Sequence, residues 1–196
     1  MIPKRIYSIW VGNEPPQDIK GYMLSHWISG YEHVKITLEN CFHNQYIDDA
    51  IRVKKWVKVA DYLRLHYIYE EGGIYLDSDF EVLPEKNFDA LLDNRMFIGQ
   101  EANGCYSNAV IGSEPGHPIL KESMRRMMDN YRGDGDLTWE PGMRTFMDVV
   151  WLKEKNNYDL TILPPDYFYP FNHETGATDM TKNTIGIHRF AKTWQK

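Results

Sequence analysis

The chain lacks the features that mark several large protein classes. Its 196 residues include two cysteines, Cys41 and Cys105, too few for a disulfide framework. Inert thiols in a reducing compartment are the expected state, and a single bridge stays open as the alternative. No run approaches the ~20 apolar residues that cross a bilayer, and no apolar segment follows the N-terminal charges as in a signal peptide. We therefore expect a soluble, cytoplasmic protein with at most peripheral membrane association.

Positive charge is also scarce, since 22 Lys and Arg face 28 Asp and Glu for a net charge of −6. Non-specific nucleic-acid binding needs a basic surplus, so we expect no nucleic-acid partner. No repeat or linker divides the sequence, and residues 1–196 are predicted to form one domain. Aromatic residues are abundant instead, at 14%. They suit stacking on sugars and bases, but a Tyr-rich core explains them equally well.

The first 40 residues predict a β-loop-α-β order. Residues 5–11 are β-branched and aromatic and stop at a Gly-Asn-Glu-Pro-Pro break, which indicates a buried strand. A helix from Asp18 to about Ser29 and a strand through Val34, Ile36 and Leu38 follow. This order favours an α/β sandwich with a mainly parallel central sheet.

The central pattern is a helix that leads into a strand. Asp48 or Asp49 is predicted to cap the helix, and Gly72-Gly73 ends it. The strand is predicted to run from Ile74 to Val82 with period two, so that one face carries Tyr75, Asp77, Asp79 and Glu81. Later helices are expected over residues 119–131 and from Pro141 to about Leu152, and later strands over 160–163 and 184–188.

Asp77 and Asp79 are the first candidates for chemistry. Two carboxylates at the C-terminal end of a strand can reach one ligand, and ligands bind there in open α/β sheets. Oxygen donors suit Mg²⁺ or Mn²⁺, which bridge carboxylates to substrate phosphates. A solvated acidic strand end is the alternative. An EF-hand starting at Asp77 is excluded, because Val82 and Phe88 stand where it needs Gly and Glu.

Asp61 and Arg64 are the second candidates, because residues three apart on a helix are surface neighbours. The alternative is an exposed ion pair worth ~0–1 kcal/mol with no further role. However, their helix leads directly into the Asp77 strand, so its N-terminal half is expected to border the same cleft. There an Asp can hold sugar hydroxyls and an Arg can bind a phosphate or hydroxyl.

Taken together, these blocks resemble glycosyltransferase family 32, which includes yeast initiating mannosyltransferases and bacterial capsule-synthesis enzymes; the large clostridial glucosylating toxins are similar. The resemblance rests on Ala-Asp-Tyr-Leu-Arg at 60–64 and Glu-Gly-Gly-Ile-Tyr-Leu-Asp-Ser-Asp at 71–79. It extends over the opening Ile-Pro-Lys-Arg-Ile-Tyr-Ser-Ile-Trp-Val-Gly at 2–12, Asn108, residues 115–118 and the closing segment 187–194. A Glu-Pro-Gly at 140–142 departs from the Gly-Pro pair of many relatives, so the acceptor side is expected to differ.

The resemblance implies a GT-A type, Rossmann-like three-layer fold, a nucleotide-sugar donor and a bound Mn²⁺ or Mg²⁺. It implies that Asp61 and Arg64 contact the donor sugar, that Asp77 holds ribose and sugar, and that Asp79 binds the metal directly. A late histidine, His188, would complete the metal site, with a structural histidine as the alternative. It assigns the remaining donor contacts to Trp10, which would stack on the base or else be a core aromatic, and to Tyr75, Asn108, Lys192 and Trp194.

The sequence therefore predicts a metal-dependent retaining glycosyltransferase. Asp61, Arg64 and Asp77 are its predicted catalytic residues, and Asp77, Asp79 and His188 its metal ligands. The expected reaction moves a hexose from a nucleoside diphosphate, with UDP favoured, to a glycan or lipid-linked glycan. Two rivals remain. A metal-dependent phosphohydrolase of nucleotide sugars would use the same carboxylates, and a carbohydrate-binding module would need only the aromatics.

Overall fold

The computed structural model describes residues 1–131, 142–154, 159–171 and 175–191 of the chain. Cys41 and Cys105 are both free thiols. Of the helices in the described ranges, none has the length and hydropathy needed to cross a bilayer. The main elements are β1 (Arg5–Ile9), α1 (Gln17–Ser25), β2 (Glu32–Ile36), α2 (Gln45–Arg52), α3 (Trp56–Glu71), β3 (Gly73–Leu76), β4 (Phe80–Val82), β5 (Met96–Gln100), β6 (Tyr106–Ser113), α4 (Pro118–Asn130), α5 (Gly142–Glu154), β7 (Leu160–Leu163) and β8 (Gly186–His188).

Six strands form the central sheet, in the order β2-β1-β3-β6-β5-β7. β1 is parallel to β2 and β3, and β5 is parallel to β7, whereas β6 is antiparallel to both of its neighbours, β3 and β5. Five of the six strands therefore point the same way, which confirms the mainly parallel sheet. β4 and β8 form a separate antiparallel ribbon.

The sheet separates two hydrophobic clusters, because successive side chains of a strand point to opposite faces. Tyr7 and Tyr75 face a cluster that is completed by residues of α2, α3, α4 and α5. Ile6, Ile74 and Leu76 face the other cluster, which continues into the β4–β8 ribbon. With layers on both faces of a mostly parallel sheet, the molecule is the three-layer α/β sandwich that the sequence predicted.

The single central helix predicted from the sequence is wrong, because α2 and α3 are separate helices. Between them, Lys54 has a φ of +56°, a left-handed conformation that helices do not continue through. The predicted cap is wrong as well. The side chain of Asn44 accepts a hydrogen bond from the N–H of Ile47, so α2 is capped upstream and Asp48 and Asp49 fall inside it.

The predicted strand from Ile74 to Val82 is also broken. β3 ends at Leu76 in the central sheet, and the chain turns before β4 leaves to pair with β8. The N–H of Phe80 donates to the carbonyl of Asp77 at 2.9 Å and closes this turn. Alternation persists through the break because the apolar residues before and after it bury into the same cluster. Asp77 and Asp79 therefore lie in a turn and do not share a strand face.

Two strands of the central sheet, β5 and β6, were not predicted, because each carries a glycine that weakens the strand pattern. The predicted helix over 119–131 is confirmed by α4, and the late strands by β7 and β8. Pro141, the predicted start of the next helix, lies outside the described residues, and α5 is described from Gly142.

Gly112 of β6 marks a close approach within the core. A Cβ atom at this position would lie 2.2 Å from Cε1 of Phe97, the residue opposite it on β5. Phe97 is fully buried and packs against Phe88 and Phe168, so its ring has little freedom to move aside. Packing therefore requires a residue without a side chain at position 112.

We expect Gly112→Ala to lower the free energy of unfolding by about 1–3 kcal/mol, the usual cost of overpacking a core. Gly21 provides a matched control, because it lies in α1 with open space around it. There, Gly21→Ala should raise the free energy of unfolding by about 0.5–1 kcal/mol. Urea unfolding of both variants measures the difference, and equal stabilities would contradict the packing argument.

Candidate functional site

The candidate site lies at one edge of the central sheet, where the parallel strands end. Trp10 follows β1, and Asp77 follows β3. Because β6 runs the opposite way, its beginning lies at the same edge and brings Asn108 there. The N–H of Asp77 donates to the carbonyl of Ala109 at 2.8 Å. Side chains distant in sequence therefore meet where α/β sheets commonly bind ligands.

Asp77, Asp79 and His188 form a cluster in this region. Asp77 and Asp79 occupy the turn between β3 and β4, and the β4–β8 pairing sets His188 opposite Phe80. Nε2 of His188 is 3.1 Å from Oδ1 of Asp79 and 3.7 Å from Oδ2 of Asp77. One ligand atom from each of the three side chains lies within 4.8 Å of the others. Two carboxylates and an imidazole at this spacing fit a divalent cation.

The pKa values within the cluster are shifted by burial and by the opposite charges that face each other there. Burial raises the pKa of Asp77, although Arg64 opposes the rise. Burial acts in the same direction on Asp79, but hydrogen bonds from His188 and the Ala191 N–H hold its pKa below the usual range. For His188, burial favours the neutral ring, yet Asp79 and Asp77 outweigh it and raise the pKa. The carboxylates thus create a strong preference for positive charge here.

Arg64 lies behind the cluster and joins it to α3. Its Nη2 is 3.2 Å from Oδ1 of Asp61, and its Nη1 is 3.2 Å from Oδ1 of Asp77. Nη1 also donates to the carbonyl of Asn108 at 2.9 Å, and the guanidinium stacks over the ring of Tyr75. Only 6% of the Arg64 and Asp61 side chains is exposed. The alternative of an exposed ion pair is therefore wrong.

Asp61 faces the site with one carboxylate oxygen engaged. Its Oδ1 accepts a hydrogen bond from Nδ2 of Asn108 at 3.1 Å in addition to the contact with Arg64. Oδ2 lies against Gly142, the first described residue of α5, where a Cβ atom would come within 2.6 Å of it. Sequence reasoning did not identify Gly142 as part of this site. The only sequence signal that pointed to this position was the departure from the Gly-Pro pattern at 140–142.

The remaining predicted residues have different surroundings. Trp10 is half-buried, and its indole N–H donates to the carbonyl of Asn13 at 2.5 Å, which orients the ring. Tyr75 is 1% exposed, and its hydroxyl donates to Oδ1 of Asp77, so it supports that carboxylate from within the core. Asn108 is likewise buried behind Asp61. Lys192 and Trp194 lie outside the described residues.

The segment after β8 contributes contacts that sequence reasoning missed. The N–H of Ala191 donates to Oδ2 of Asp79 at 2.7 Å, and the N–H of Arg189 donates to the Asp79 carbonyl at 3.0 Å. A second missed contact comes from the segment before β8. There, Tyr169 packs edge-on against the His188 ring, at a centroid distance of 5.7 Å, and occupies the space over Gly99 of β5. The glycine in β5 was the only local signal for this packing.

Comparison with known proteins gives three related findings. Residues 20–98 match a family model described as a glycosyltransferase sugar-binding region containing a DXD motif. An uncharacterized glycosyltransferase of Acanthamoeba polyphaga mimivirus is 27% identical over 191 residues, covering 88% of this chain and 74% of the relative. The alpha-1,4-N-acetylglucosaminyltransferase of Homo sapiens is 28% identical over 137 residues, covering 64% of this chain and 38% of the relative.

Solved structures agree on the fold. The PaToxG glycosyltransferase superposes with a TM-score of 0.60 at 21% identity, covering 79% of this chain and 70% of that one. The GT-A fold and the resemblance predicted from the two motifs are therefore confirmed. The chain spans about three quarters of the viral relative's length but less than two fifths of the human relative's.

We expect Arg64→Met to lower the free energy of unfolding by about 3–5 kcal/mol, because it leaves the buried carboxylate of Asp61 and the half-buried one of Asp77 without their cation. Arg125→Met provides the control. Arg125 pairs with Glu122 and Asp129 on the exposed face of α4, so its loss should cost about 1 kcal/mol or less. Urea unfolding in metal-free buffer measures both. Similar losses would mean that Arg64 does not hold a buried charge network.

Proposed function

We propose a specific reaction for this chain, which is one of the glycosyltransferases that carry a DXD sugar-binding region. The reaction is metal-dependent transfer of a hexose from a nucleoside-diphosphate sugar to a glycan or lipid-linked glycan, with retention of anomeric configuration. UDP is the favoured nucleotide. The observation that carries the proposal is the Asp77, Asp79 and His188 cluster at the ligand-binding edge of the sheet.

The proposed role of the cluster is to hold Mn²⁺ or Mg²⁺. A bound cation neutralises the negative charge that grows on the diphosphate as the sugar–phosphate bond breaks. Asp79 and His188 are the proposed direct ligands. Asp77 lies close to His188 on one side and to Arg64 on the other. This position suits a carboxylate that also orients the ribose and the sugar of the donor. The imidazole donor favours Mn²⁺ over Mg²⁺.

On the sugar side, we assign hydroxyl recognition to Asp61. Among the described residues, hydrogen bonds reach only its Oδ1, which leaves Oδ2 to accept from a sugar hydroxyl. All three nitrogens of the Arg64 guanidinium are engaged, by Asp61, Asp77 and two carbonyls. Its proposed role is therefore to hold both carboxylates in place, whereas the sequence had suggested a direct contact with the donor.

The nucleotide is assigned to the loop after β1. The indole of Trp10 is held by its bond to the Asn13 carbonyl and belongs to neither hydrophobic cluster. An oriented, half-buried ring at the sheet edge suits stacking on a base such as uracil. The human relative is named for transfer of N-acetylglucosamine, which supports a hexose-type donor. Retention of configuration is carried over from the family.

We expect Asp79→Asn to reduce donor turnover in Mn²⁺ by at least about 100-fold, because it removes a carboxylate ligand of the cation that is proposed to neutralise the leaving-group charge. The donor is first chosen by a thermal-shift screen of UDP- and GDP-sugars with Mn²⁺. A ligand at 100 times its Kd should stabilise the fold by about 2.7 kcal/mol. Turnover is then followed with and without a glycan acceptor. Full-rate sugar release without acceptor would indicate a phosphohydrolase instead.

The control for Asp79 is Asp93→Asn. Asp93 is an exposed carboxylate just before β5, at the opposite end of the strands from the site, so its loss should leave turnover unchanged. Wild-type turnover by Asp79→Asn would overturn the metal-site assignment.

We expect Asp61→Asn to lower kcat/KM for the full donor by about 100-fold, because a misplaced sugar reacts slowly. Its affinity for UDP, which lacks the transferred hexose, should hardly change. Calorimetry with UDP and a transfer assay separate the two. Asp49→Asn is a matched control, since Asp49 pairs with Arg52 at the same spacing on α2. Equal losses for UDP and donor would show that Asp61 does not contact the sugar.

A further inference from the structure

The C-terminal end of α1 packs against β4, the strand that follows the Asp77–Asp79 turn. His26 is fully buried there. Its Nε2 lies 2.7 Å from the carbonyl oxygen of Phe80, and its Nδ1 lies 2.6 Å from Oγ of Ser8 on β1. The neighbouring Ser25 hydroxyl accepts a hydrogen bond from the N–H of Val82 at 2.8 Å. Ser25, the last residue of α1, and His26, which follows it, therefore both bind the backbone of β4.

The hydrogen-bond directions around His26 are fixed by its partners. A carbonyl oxygen can only accept, so Nε2 carries the proton and donates to Phe80. Burial lowers the pKa of His26 to about 4, so the ring is neutral near pH 7 and Nδ1 accepts from the Ser8 hydroxyl. The Ser8 oxygen is then free to accept from Nε2 of His33, 3.1 Å away. One orientation of the ring satisfies the whole chain of bonds.

The Phe80 carbonyl is bound in this way because the β4–β8 ribbon does not bind it. Ribbon hydrogen bonds join Arg189 to Asp79 and Leu83 to Ile185. At the Phe80–His188 pair between them, the N–H of His188 donates to the carbonyl of Phe168 instead. The outer edge of β4 thus has no strand partner in the described residues, and Ser25 and His26 take that place. Unpaired backbone groups buried at such an edge would be costly.

We infer that His26 is a positioning residue for the proposed metal cluster. Through the Phe80 carbonyl it fixes the end of the turn that carries Asp79 and the strand that sets His188 opposite. The inference rests on the proposed function, since it concerns the affinity of that cluster for a cation. Mutation of groups that hydrogen-bond directly to a metal ligand typically changes metal affinity by about 10–100-fold. His26 acts through the backbone next to Asp79, so we expect an effect at the lower end of that range.

Two substitutions separate the two bonds of the imidazole. A glutamine amide reaches to about the position of Nε2, so His26→Gln keeps a donor for Phe80 and loses the acceptor for Ser8. An asparagine is shorter and reaches only Nδ1, so His26→Asn keeps the acceptor for Ser8 and leaves the Phe80 carbonyl unbound. Both replace the same buried ring, so both should lose stability.

The experiment is a titration of the full chain with Mn²⁺ alone, followed by the electron paramagnetic resonance signal of free Mn²⁺. We expect His26→Asn to raise the Kd about tenfold, and His26→Gln to stay within about twofold of wild type. Ser8→Ala, which keeps the Phe80 bond, should behave like His26→Gln. Urea unfolding of each variant reports stability independently, and kcat with the chosen donor should fall only for His26→Asn.

Equal Mn²⁺ affinities for His26→Asn and His26→Gln would overturn the inference, because the ring would then act through packing alone. If His26→Asn does not fold, a tenfold loss of affinity in folded His26→Gln or Ser8→Ala would overturn it as well. The Asp79→Asn variant distinguishes a failure of the proposed metal site from a failure of the role of His26. If the wild-type protein bound Mn²⁺ no better than the Asp79→Asn variant, the cluster would not be a metal site. The proposed function and the role of His26 would then both fail.

Discussion

The buried guanidinium of Arg64 is the interaction on which the site and its surroundings depend. Several carboxylates meet at this edge of the sheet, and Arg64 is the one Lys or Arg side chain that is buried in the described part of the chain. It contacts Asp61 on its own helix, Asp77 after β3 and the backbone of β6. Burying like charges together without a cation is prohibitively costly. The same residue therefore allows the acidic cluster to form and fixes α3 against the sheet.

The direction of β6 gives this edge its density of polar groups. In a fully parallel sheet, each strand contributes only the residues that follow it. Because β6 runs the opposite way between β3 and β5, its first residues point into the same region, and Asn108 bridges Asp61 and Arg64. The insertion of one reversed strand thus brings an amide and a backbone carbonyl behind the carboxylates.

The sequence predicted what is encoded locally. Asp61 and Arg64 could be paired from helical spacing, and the link from α3 to β3 correctly placed them beside Asp77. The predictions failed where tertiary partners decide. The chain turns at 77–79 because β3 pairs within the central sheet, whereas β4 pairs with β8, more than 100 residues later in the sequence. Period-two alternation in the sequence cannot reveal that the pairing strand changes. His26 and Gly142 carry no motif, since each matters only through a residue that is remote in sequence.

The pairing of β4 with β8 also has a consequence for biosynthesis. Asp61, Arg64, Asp77 and Asp79 are all made before residue 80, whereas the strand that supplies His188 follows about 100 residues later. At about 5–20 residues per second, the ribosome needs roughly 5–20 s to cover that interval. During this time the nascent chain carries the acidic turn without its histidine and without a partner strand for β4. Assembly of the cluster therefore waits until the chain has been translated through His188.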